Sequence, residues 1–523
     1  MKPPIFNLLM KYVSKQRIKF NSPGHKGKIR MKTDNLCNID VEKVPFSDAN
    51  ISLESAIAAS ENEIAGIFAA SKSYYLSSGA AGGIYASLAS VCSPGDKVIV
   101  DPECDRAIIN AITVLALVPV FMKRSHCERY SLNGGISTEK IELAIEQCPE
   151  AKLIIVTSPT YYGVCANIKK IVSLAHEKGM LVMADESYGA HFTFSKHSPE
   201  TALECGADIV VQSLSKTLGG FKGSGLLHVA ESVDCRTVST IEANLDIYQG
   251  EGASSAFLCA LENVVFYAFK NSDKYSVIFK EIERGKHIIS SKTDILWFGA
   301  ENGNGCDIVL TDLTKIVLNF SKVSITAAEA AILLLNKYGI ECDYADEENI
   351  VFSVSLYNTA TEIRKLVNSL LGISKLLSPT NLEEESYATE LFDEGPNAVM
   401  SPYKAFYCGG EWVEPQMAIG KICRKVICKM PQGTPIIIPG EKISKEQVEV
   451  IKKMTGLGVA LHGIPTSTVL SGLFILFCIS IKTSVYTRHS ERSSPRDSAF
   501  GDFAYAKFRL RAVPSAQNDT GRT

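Results

Sequence analysis

Lys216 and Asp185 are the two residues of this sequence whose types and positions most directly suggest chemistry. Lys216 follows the apolar run Ile209–Val211 and two serines, Ser213 and Ser215, and it precedes a glycine-rich turn. Burial lowers the pKa of a lysine amine, and the neutral amine is a nucleophile. A lysine in this setting predicts a Schiff base with an aldehyde cofactor, and the alternative is a solvated lysine on an exposed loop.

Asp185 ends an apolar run that begins at Met180. A carboxylate at the end of a buried strand is costly unless a cationic group accompanies it. In pyridoxal-phosphate enzymes that cation is the protonated pyridine nitrogen of the cofactor. The alternative is that Asp185 caps a following helix, a position that aspartate favours. Because Lys216 follows downstream, the sequence favours the contact with the cofactor.

A glycine-rich segment, Ser77–Gly83, predicts a site for the phosphate of such a cofactor. It lies between a predicted strand over 74–76 and a predicted helix that begins near Ile84. Backbone N–H groups at a helix N-terminus bind phosphate without help from side chains. The alternative is a turn whose glycines serve only tight packing. The residues expected to bind the phosphate are Ser78, Gly79, Ala80 and Ala81.

These residues need a scaffold that brings strand ends together. Between residues 55 and 229, helical and strand patterns alternate: helices are predicted over 55–70, 84–92 and 168–178, and short buried strands over 97–100, 117–121, 153–157, 180–184 and 209–211. Such alternation predicts an α/β fold with a mostly parallel sheet and helices on both faces. Sheets of this kind place their sites beyond the carboxyl ends of the strands, where Asp185 and Lys216 both fall.

Composition divides the chain into five segments. They are an N-terminal arm over 1–45, a large cofactor-binding domain over 46–290, a small α/β domain over 291–375, a C-terminal domain over 376–464, and a tail over 465–523. The tail is predicted to be disordered because 482–523 is rich in serine and arginine without apolar periodicity. Foreign or out-of-frame sequence is the alternative. The apolar stretch 468–481 has 14 residues, fewer than the roughly 20 of a membrane-spanning helix, so no membrane partner is expected.

Bulk composition indicates a soluble globular enzyme. The 523 residues are 46% hydrophobic and 21% charged, and the net charge of −3 excludes an overall basic field for nucleic acid. The 15 cysteines include no Cys-x-x-Cys pair, so neither a metal site nor a redox pair is indicated. With no signal peptide at the start, reduced thiols and a cytoplasmic location are expected.

Six sequence blocks in fixed order resemble those of the Orn/Lys/Arg decarboxylases, a family of fold-type I pyridoxal-phosphate enzymes. The resemblance covers roughly residues 5–460, and order and spacing across the blocks make it specific. The blocks are Ser22–Gly27, Ser93–Val98, Ser158–Val164, Asp185–Phe192, Asp208–Gly220 and Gly433–Glu441.

The resemblance implies a lyase that uses pyridoxal 5'-phosphate to decarboxylate arginine, lysine or ornithine to a polyamine-type amine. Lys216 would hold the cofactor, and Asp185 would keep its ring nitrogen protonated. Active sites at a subunit interface are also implied, and so is a homodimer or larger assembly whose N-terminal arm includes His25 and Lys26; the alternative for these two residues is an exposed turn. The other residues implied at the cofactor are Ser78, Gly79, Ala80, Ala81, Tyr188, Ser213 and Ser215.

Several positions depart from the family pattern. Asp105 stands where a histidine usually stacks on the cofactor ring, and Ser215 and Tyr188 replace two further histidines. Histidines are the usual proton donors near neutral pH. Three functions therefore stay open: a decarboxylase with altered proton delivery, an aminotransferase-like enzyme of the same fold, and a non-catalytic homologue. Further departures are found at Ile51, Ala80, Ala81 and Lys425.

Overall fold

The computed structural model describes residues 4–28, 36–44, 52–250, 252–302, 306–379, 398–456, 459–464 and 476–479. Ile51, the acidic run 383–385 and the segment 482–523 lie outside the described residues. Within those ranges, no helix is both long enough and apolar enough to cross a lipid bilayer.

Helices and strands alternate through most of the chain. The α-helices are α1 Pro4–Val13, α2 Leu53–Phe68, α3 Ala80–Val91, α4 Arg106–Val114, α5 Thr138–Gln147, α6 Ile168–His176, α7 Leu214–Thr217, α8 Cys235–Gln249, α9 Ser255–Lys270, α10 Lys274–Lys292, α11 Ala327–Tyr338, α12 Ala360–Ser374, α13 Pro402–Tyr407, α14 Pro415–Ala418 and α15 Lys445–Gly456. Short 3-10 helices cover Leu36–Ile39, Glu128–Tyr130, Phe192–Phe194 and Ala300–Asn302.

The strands are mostly short. They are β1 Ile18–Phe20, β2 Lys72–Leu76, β3 Lys97–Val100, β4 Val118–Phe121, β5 His126–Cys127, β6 Leu132–Asn133, β7 Leu153–Thr157, β8 Val164–Cys165, β9 Leu181–Asp185, β10 Ile209–Ser213, β11 Gly225–Val229, β12 Leu296–Trp297, β13 Leu310–Thr311, β14 Lys315–Asn319, β15 Ile340–Cys342, β16 Tyr344–Ala345, β17 Asn349–Ser353, β18 Glu411–Val413, β19 Ile422–Cys423, β20 Ile427–Lys429, β21 Pro435–Ile437, β22 Leu461–His462 and β23 Leu476–Ile479.

The central sheet has seven strands in the order β2-β11-β10-β9-β7-β3-β4. Strands β10, β9, β7, β3 and β4 pair in parallel, and β11 pairs antiparallel with both of its neighbours. This arrangement confirms the predicted α/β fold with a mostly parallel sheet. It also brings the carboxyl ends of β2, β3, β7, β9 and β10 to one edge.

Helices cover both faces of the central sheet. Val98 and Val100 of β3 pack with α3, α4 and α8 on one face, whereas Ile99 packs with α5 and α6 on the other. Because successive side chains of a strand point to opposite faces, both must be apolar when both faces are covered. The continuous apolar runs of the sequence follow from this burial.

A second, antiparallel sheet in the order β12-β14-β17-β16 belongs to the region that the sequence predicts to be a small α/β domain. Helices α10, α11 and α12 pack on it through residues such as Ile282, Leu334 and Leu366. Strand β1 of the N-terminal segment pairs in parallel with β15. The division of the chain into the five predicted domains stays a prediction.

A disulfide joins Cys127 and Cys306, whose Cα atoms are 5.2 Å apart although 179 positions separate them in sequence. The expectation that the thiols are all reduced is therefore wrong for this pair. The sequence contains no local signal for it, because the two cysteines meet only through tertiary folding.

The C-terminal segment differs from its prediction at one place. The tail over 465–523 is predicted to be disordered, yet β23 pairs antiparallel with β18 and with β19. Within the predicted C-terminal domain, β21 pairs antiparallel with β20. An apolar stretch too short to cross a membrane is long enough for one strand of a small sheet.

Candidate active site

The candidate site lies where several strands of the central sheet end together. Thr157, the last residue of β7, is level with Asp185, the last residue of β9. Ser213, at the end of β10, and Leu76, at the end of β2, both pair with Gly225, the first residue of β11. The segments that follow β2, β9 and β10 therefore begin at the same edge of the sheet.

Lys216 lies in the one-turn helix α7 directly after β10. Its Nζ atom lies 5.2 Å from the ring centroid of Tyr188. The pKa of the Lys216 amine is raised, chiefly by its interaction with Tyr188; burial acts in the opposite direction, and the Asp343 and Asp105 carboxylates add to the increase. The expectation of a lowered pKa is therefore wrong for Lys216: burial does act to lower it, but Tyr188, Asp343 and Asp105 together have the larger effect.

Asp185 is a buried carboxylate without a cationic partner. It accepts hydrogen bonds from the Ser187 backbone N–H at 3.1 Å and from the Ser187 hydroxyl, and no described cation lies within ion-pair distance of it. Burial raises its pKa to about 6; the Asp105 carboxylate also raises it, whereas Ser187 and Lys216 lower it. The turn that follows contains no α-helix for Asp185 to cap. Such a carboxylate fits a ligand that brings its own positive charge.

Helix α3 begins at Ala80, four residues before the predicted start. Gly79 lies at the N-cap position with φ +73°, and no side chain caps the helix. Gly83 lies inside this helix, and a Cβ there would lie 2.7 Å from a Leu76 methyl group, so the glycine allows the helix to pack closely on the sheet. The N–H groups of the first turn, at Ala80 and Ala81, are thus available to an anion, which fits a phosphate.

Other predicted residues lie beside this turn or beside Lys216. Ser78 is exposed. The hydroxyls of Ser213 and Ser215 are buried and 3.1 Å apart. Tyr188 is buried with its ring edge-on to Tyr161 at 5.5 Å. The structure therefore groups the predicted cofactor-binding residues at one edge of the sheet, and their roles stay predictions.

Gly225, the first residue of β11, packs against the start of α3, so its replacement tests whether this helix start binds the phosphate. A Cβ on Gly225 would lie 2.7 Å from the Gln212 carbonyl oxygen and 3.1 Å from the Ala80 nitrogen. We expect Gly225→Ala to displace the start of α3 and to weaken pyridoxal-phosphate binding about tenfold, as measured by titration of the apoprotein. Gly66→Ala is the matched control, because a Cβ there meets nothing within 4 Å. Equal affinity of the two variants would contradict a role of this turn in phosphate binding.

Asp105 serves as the N-cap of α4, and its carboxylate accepts a hydrogen bond from the Ala107 N–H at 2.8 Å. It stands where the family resemblance implies a stacking histidine, so the position keeps a local structural function without an aromatic ring. Lys425, another departure, places its amine 5.1 Å from the ring centroid of Trp412.

One buried lysine near Lys216, Lys315, is not among the residues that the sequence predicts at the site. Lys315 donates to the Ser353 hydroxyl at 2.7 Å and lies 3.6 Å from the Asp343 carboxylate. Its Nζ is 4.4 Å from the centroid of Tyr188, the ring that Lys216 also contacts. Burial lowers the pKa of Lys315, the Asp343 carboxylate opposes this, and Lys216 lowers it further. A lysine at the first position of an apolar strand is usually solvated, so the sequence does not predict the burial of Lys315.

Lys26, which the sequence analysis assigns to the N-terminal arm or to an exposed turn, is also buried. It is 5% exposed, and it donates to the backbone oxygens of Asn21 at 2.6 Å and Ser353 at 2.9 Å. Burial lowers its pKa to about 7, while the Asp343 carboxylate opposes the decrease. The alternative of an exposed turn is therefore wrong for Lys26, whose hydrogen bonds lie within its own chain.

The donor set fits pyridoxal phosphate on three observations: an amine at Lys216, an unpaired buried carboxylate at Asp185, and an uncapped helix start at Ala80. In addition, the buried hydroxyl of Thr157, level with Asp185, has no hydrogen-bond partner among the described residues. A ligand with a cationic ring nitrogen and a phosphate would satisfy these groups.

Comparisons with known proteins identify a family and several relatives of this chain. The family model for Orn/Lys/Arg decarboxylase, major domain, matches residues 3–298. An arginine decarboxylase of Bacillus subtilis (strain 168) is 27% identical over 486 residues, which cover 89% of this chain and 96% of the relative. The inducible lysine decarboxylase of Escherichia coli (strain K12) is 20% identical over 577 residues, with coverage of 89% and 79%.

Among solved structures, lysine decarboxylase A from Pseudomonas aeruginosa superposes with a TM-score of 0.69 at 16% identity. The superposition covers 91% of this chain and 80% of that one. At this identity the likeness shows a shared fold.

Proposed function

The chain belongs to the Orn/Lys/Arg decarboxylase family, which makes it a pyridoxal-phosphate-dependent carboxy-lyase, and we propose that it converts a basic amino acid to the corresponding amine. The observation that carries the proposal is the convergence of Lys216, Asp185 and the N-terminus of α3 at one edge of the central sheet. Arginine is the first substrate to test, because the arginine decarboxylase of Bacillus subtilis is more similar in sequence than the lysine decarboxylase of Escherichia coli.

Each of these groups has a distinct task in the proposal. The Lys216 amine holds the cofactor aldehyde, the Asp185 carboxylate accepts the N–H of the pyridine ring, and the first turn of α3 binds the phosphate. When bound, pyridoxal phosphate supplies an electron-withdrawing ring that stabilises the carbanion left by the departing carbon dioxide. The position of Asp185 matters because its negative charge keeps that ring nitrogen protonated.

Proton delivery is assigned to Lys216. Its raised pKa keeps the free amine protonated at neutral pH, so it can return a proton to the α-carbon after carbon dioxide leaves. Burial raises the pKa of the neighbouring Tyr188 to about 12, against the opposing effect of Lys216, so the phenol stays protonated as well. These two residues take the place of the missing histidines.

We infer a homodimer or larger assembly, a cytoplasmic location and a contribution to polyamine biosynthesis, all on the strength of family membership. The structure describes a single chain, so the assembly is to be tested by its mass in solution.

The proposed function is tested by carbon dioxide release. The purified full chain, loaded with pyridoxal phosphate, is incubated separately with arginine, lysine and ornithine, and carbon dioxide and the amine product are quantified. We expect equal amounts of both products from at least one of these amino acids. Transfer of the amino group to a keto acid without carbon dioxide release would instead identify an aminotransferase, and no turnover of any kind would identify a non-catalytic homologue.

A further inference from the structure

Glu103 is a carboxylate near the sheet edge that the proposed chemistry leaves without a task. It follows the end of β3 by three residues and accepts a hydrogen bond from the Asn133 side-chain amide at 2.5 Å. No described lysine, arginine or histidine lies within ion-pair distance of it. Burial raises the pKa of Glu103, although Arg124 opposes the increase. The described groups that hydrogen-bond to its side chain, Asn133 and Thr434, are both neutral.

The nearest cations are already engaged. Arg124 forms a bidentate ion pair with Asp101: Nε donates to Oδ1 at 2.7 Å, and Nη2 donates to Oδ2 at 2.6 Å. Lys429 lies 3.3 Å from Asp346. Both cations are close enough to lower the pKa of Glu103, but each has its own carboxylate. A negative charge thus remains at Glu103 for a cationic ligand to balance.

A turn of the C-terminal segment lies beside the Glu103 carboxylate. It comprises residues 432–434, between β20 and β21. The hydroxyl of Thr434 lies 3.5 Å from the Glu103 carboxylate. The side chain of Gln432 is 5% exposed and donates through Nε2 to the Tyr162 hydroxyl at 3.4 Å. Its Oε1 atom is buried and has no hydrogen-bond partner among the described residues. The turn beside Glu103 therefore contains a buried amide oxygen, that of Gln432, which can still accept a hydrogen bond.

The same turn connects Glu103 with the reacting groups. Gly433 packs directly against the Asp105 carboxylate, so closely that a Cβ would overlap it. Asp105 in turn raises the pKa of both Asp185 and Lys216. Glu103 therefore lies two residues before a carboxylate that acts on the Lys216 amine, and the turn that carries Gln432 and Thr434 contacts both Glu103 and Asp105.

We infer that Glu103, together with the Gln432 amide oxygen and the Thr434 hydroxyl, binds the cationic end of the substrate side chain and selects basic amino acids over neutral ones. This inference rests on the proposed function, and it names the residues that would determine its specificity. A guanidinium or ammonium group supplies the donors and the positive charge that the carboxylate and the amide oxygen lack.

The Glu103→Gln variant separates this role from a structural one. Glutamine retains an oxygen that accepts from Asn133, so only the charge is lost. We expect KM for the best basic substrate to rise about 10- to 100-fold, with kcat changed far less and the visible absorption of the bound cofactor unchanged. Glu61→Gln is the matched control: Glu61 accepts the Tyr75 N–H away from this turn, and burial raises its pKa too.

Calorimetry of amine binding gives a readout that does not depend on turnover. The probes are cadaverine and agmatine, which carry a second cationic group at the far end of the chain, and n-pentylamine, whose far end is a methyl group, each titrated into the cofactor-loaded protein. We expect Glu103→Gln to weaken binding of the two doubly charged amines about 10- to 100-fold and to leave n-pentylamine unaffected.

The outcomes separate the two proposals. Unchanged KM and unchanged binding of cationic amines in Glu103→Gln would overturn the specificity site, while decarboxylation by the natural chain would still support the proposed function. Absence of decarboxylation by the natural chain would overturn the proposed function. In that case, weaker binding of cadaverine or agmatine to Glu103→Gln would still support a cation site at Glu103.

Discussion

Lys216→Ala is expected to abolish covalent attachment of pyridoxal phosphate and to reduce decarboxylation by about a thousandfold or more. The lysine amine lies directly after β10, at the edge where Asp185 and the start of α3 also lie. No other described lysine follows a strand of the central sheet at that edge with its amine against Tyr188; the amine of Lys315 reaches the same ring from β14, a strand of the second sheet. The loss is measured as disappearance of the visible absorption of the bound cofactor and as carbon dioxide release.

Lys222→Ala provides the control, since Lys222 is exposed and lies in the loop between α7 and β11. It is expected to retain both the absorption and the activity. Persistence of the visible band in Lys216→Ala would show that another amine holds the cofactor, and Lys315 would then be the next residue to replace. Loss of the band in both variants would point to damage of the loop instead.

The central sheet could be predicted because its strands are buried on both faces. Covering helices force continuous apolar runs such as Leu153–Thr157, which mark β7 in the sequence. Strand β23 could not be predicted, because its pairing partners β18 and β19 lie more than fifty residues upstream. Helix α3 begins earlier than the sequence predicts, because glycine usually signals a turn. Gly83 instead lies inside the helix, where its missing side chain allows close packing on Leu76.

The candidate site residues follow from local patterns, but their electrostatic environment does not. Asp185 ends an apolar run and Lys216 follows one by a few residues, and this local signal makes both of them candidates. The raised pKa of Lys216 depends on Tyr188, Asp343 and Asp105, which come from three separate parts of the chain. These groups come together only in the folded chain. From the sequence alone, burial is therefore the one effect on the pKa of Lys216 that can be foreseen.

Asp185→Asn is expected to reduce kcat about 10²- to 10³-fold while the cofactor stays attached through Lys216. Asparagine can still accept the Ser187 N–H, but it offers no negative charge to a protonated ring nitrogen. The same change is expected to stabilise the apoprotein, because the buried Asp185 carboxylate is costly without a cationic partner. Its pKa is raised by burial from 3.8 to about 6, a difference that corresponds to about 3 kcal/mol.

The sign of the pH dependence follows from that shift. Below about pH 4 the carboxyl is protonated in the folded and unfolded chains alike, so Asp185→Asn and the natural apoprotein should unfold at similar denaturant concentrations. Between about pH 4 and 6 only the unfolded chain releases the proton, so the natural apoprotein loses stability as the pH rises, and the full difference of up to about 3 kcal/mol is present above pH 6.

Glu186→Gln separates the loss of activity from the gain in stability. Glu186 is also buried, and burial raises its pKa to about 8, but its carboxylate accepts from the Gln212 side chain and the Ala202 N–H. Its replacement should stabilise the apoprotein at neutral pH without a comparable fall in kcat. If Asp185→Asn retained full activity, or if its apoprotein were less stable than the natural one at pH 7.5, the assignment of Asp185 as the unpaired partner of the ring nitrogen would be wrong.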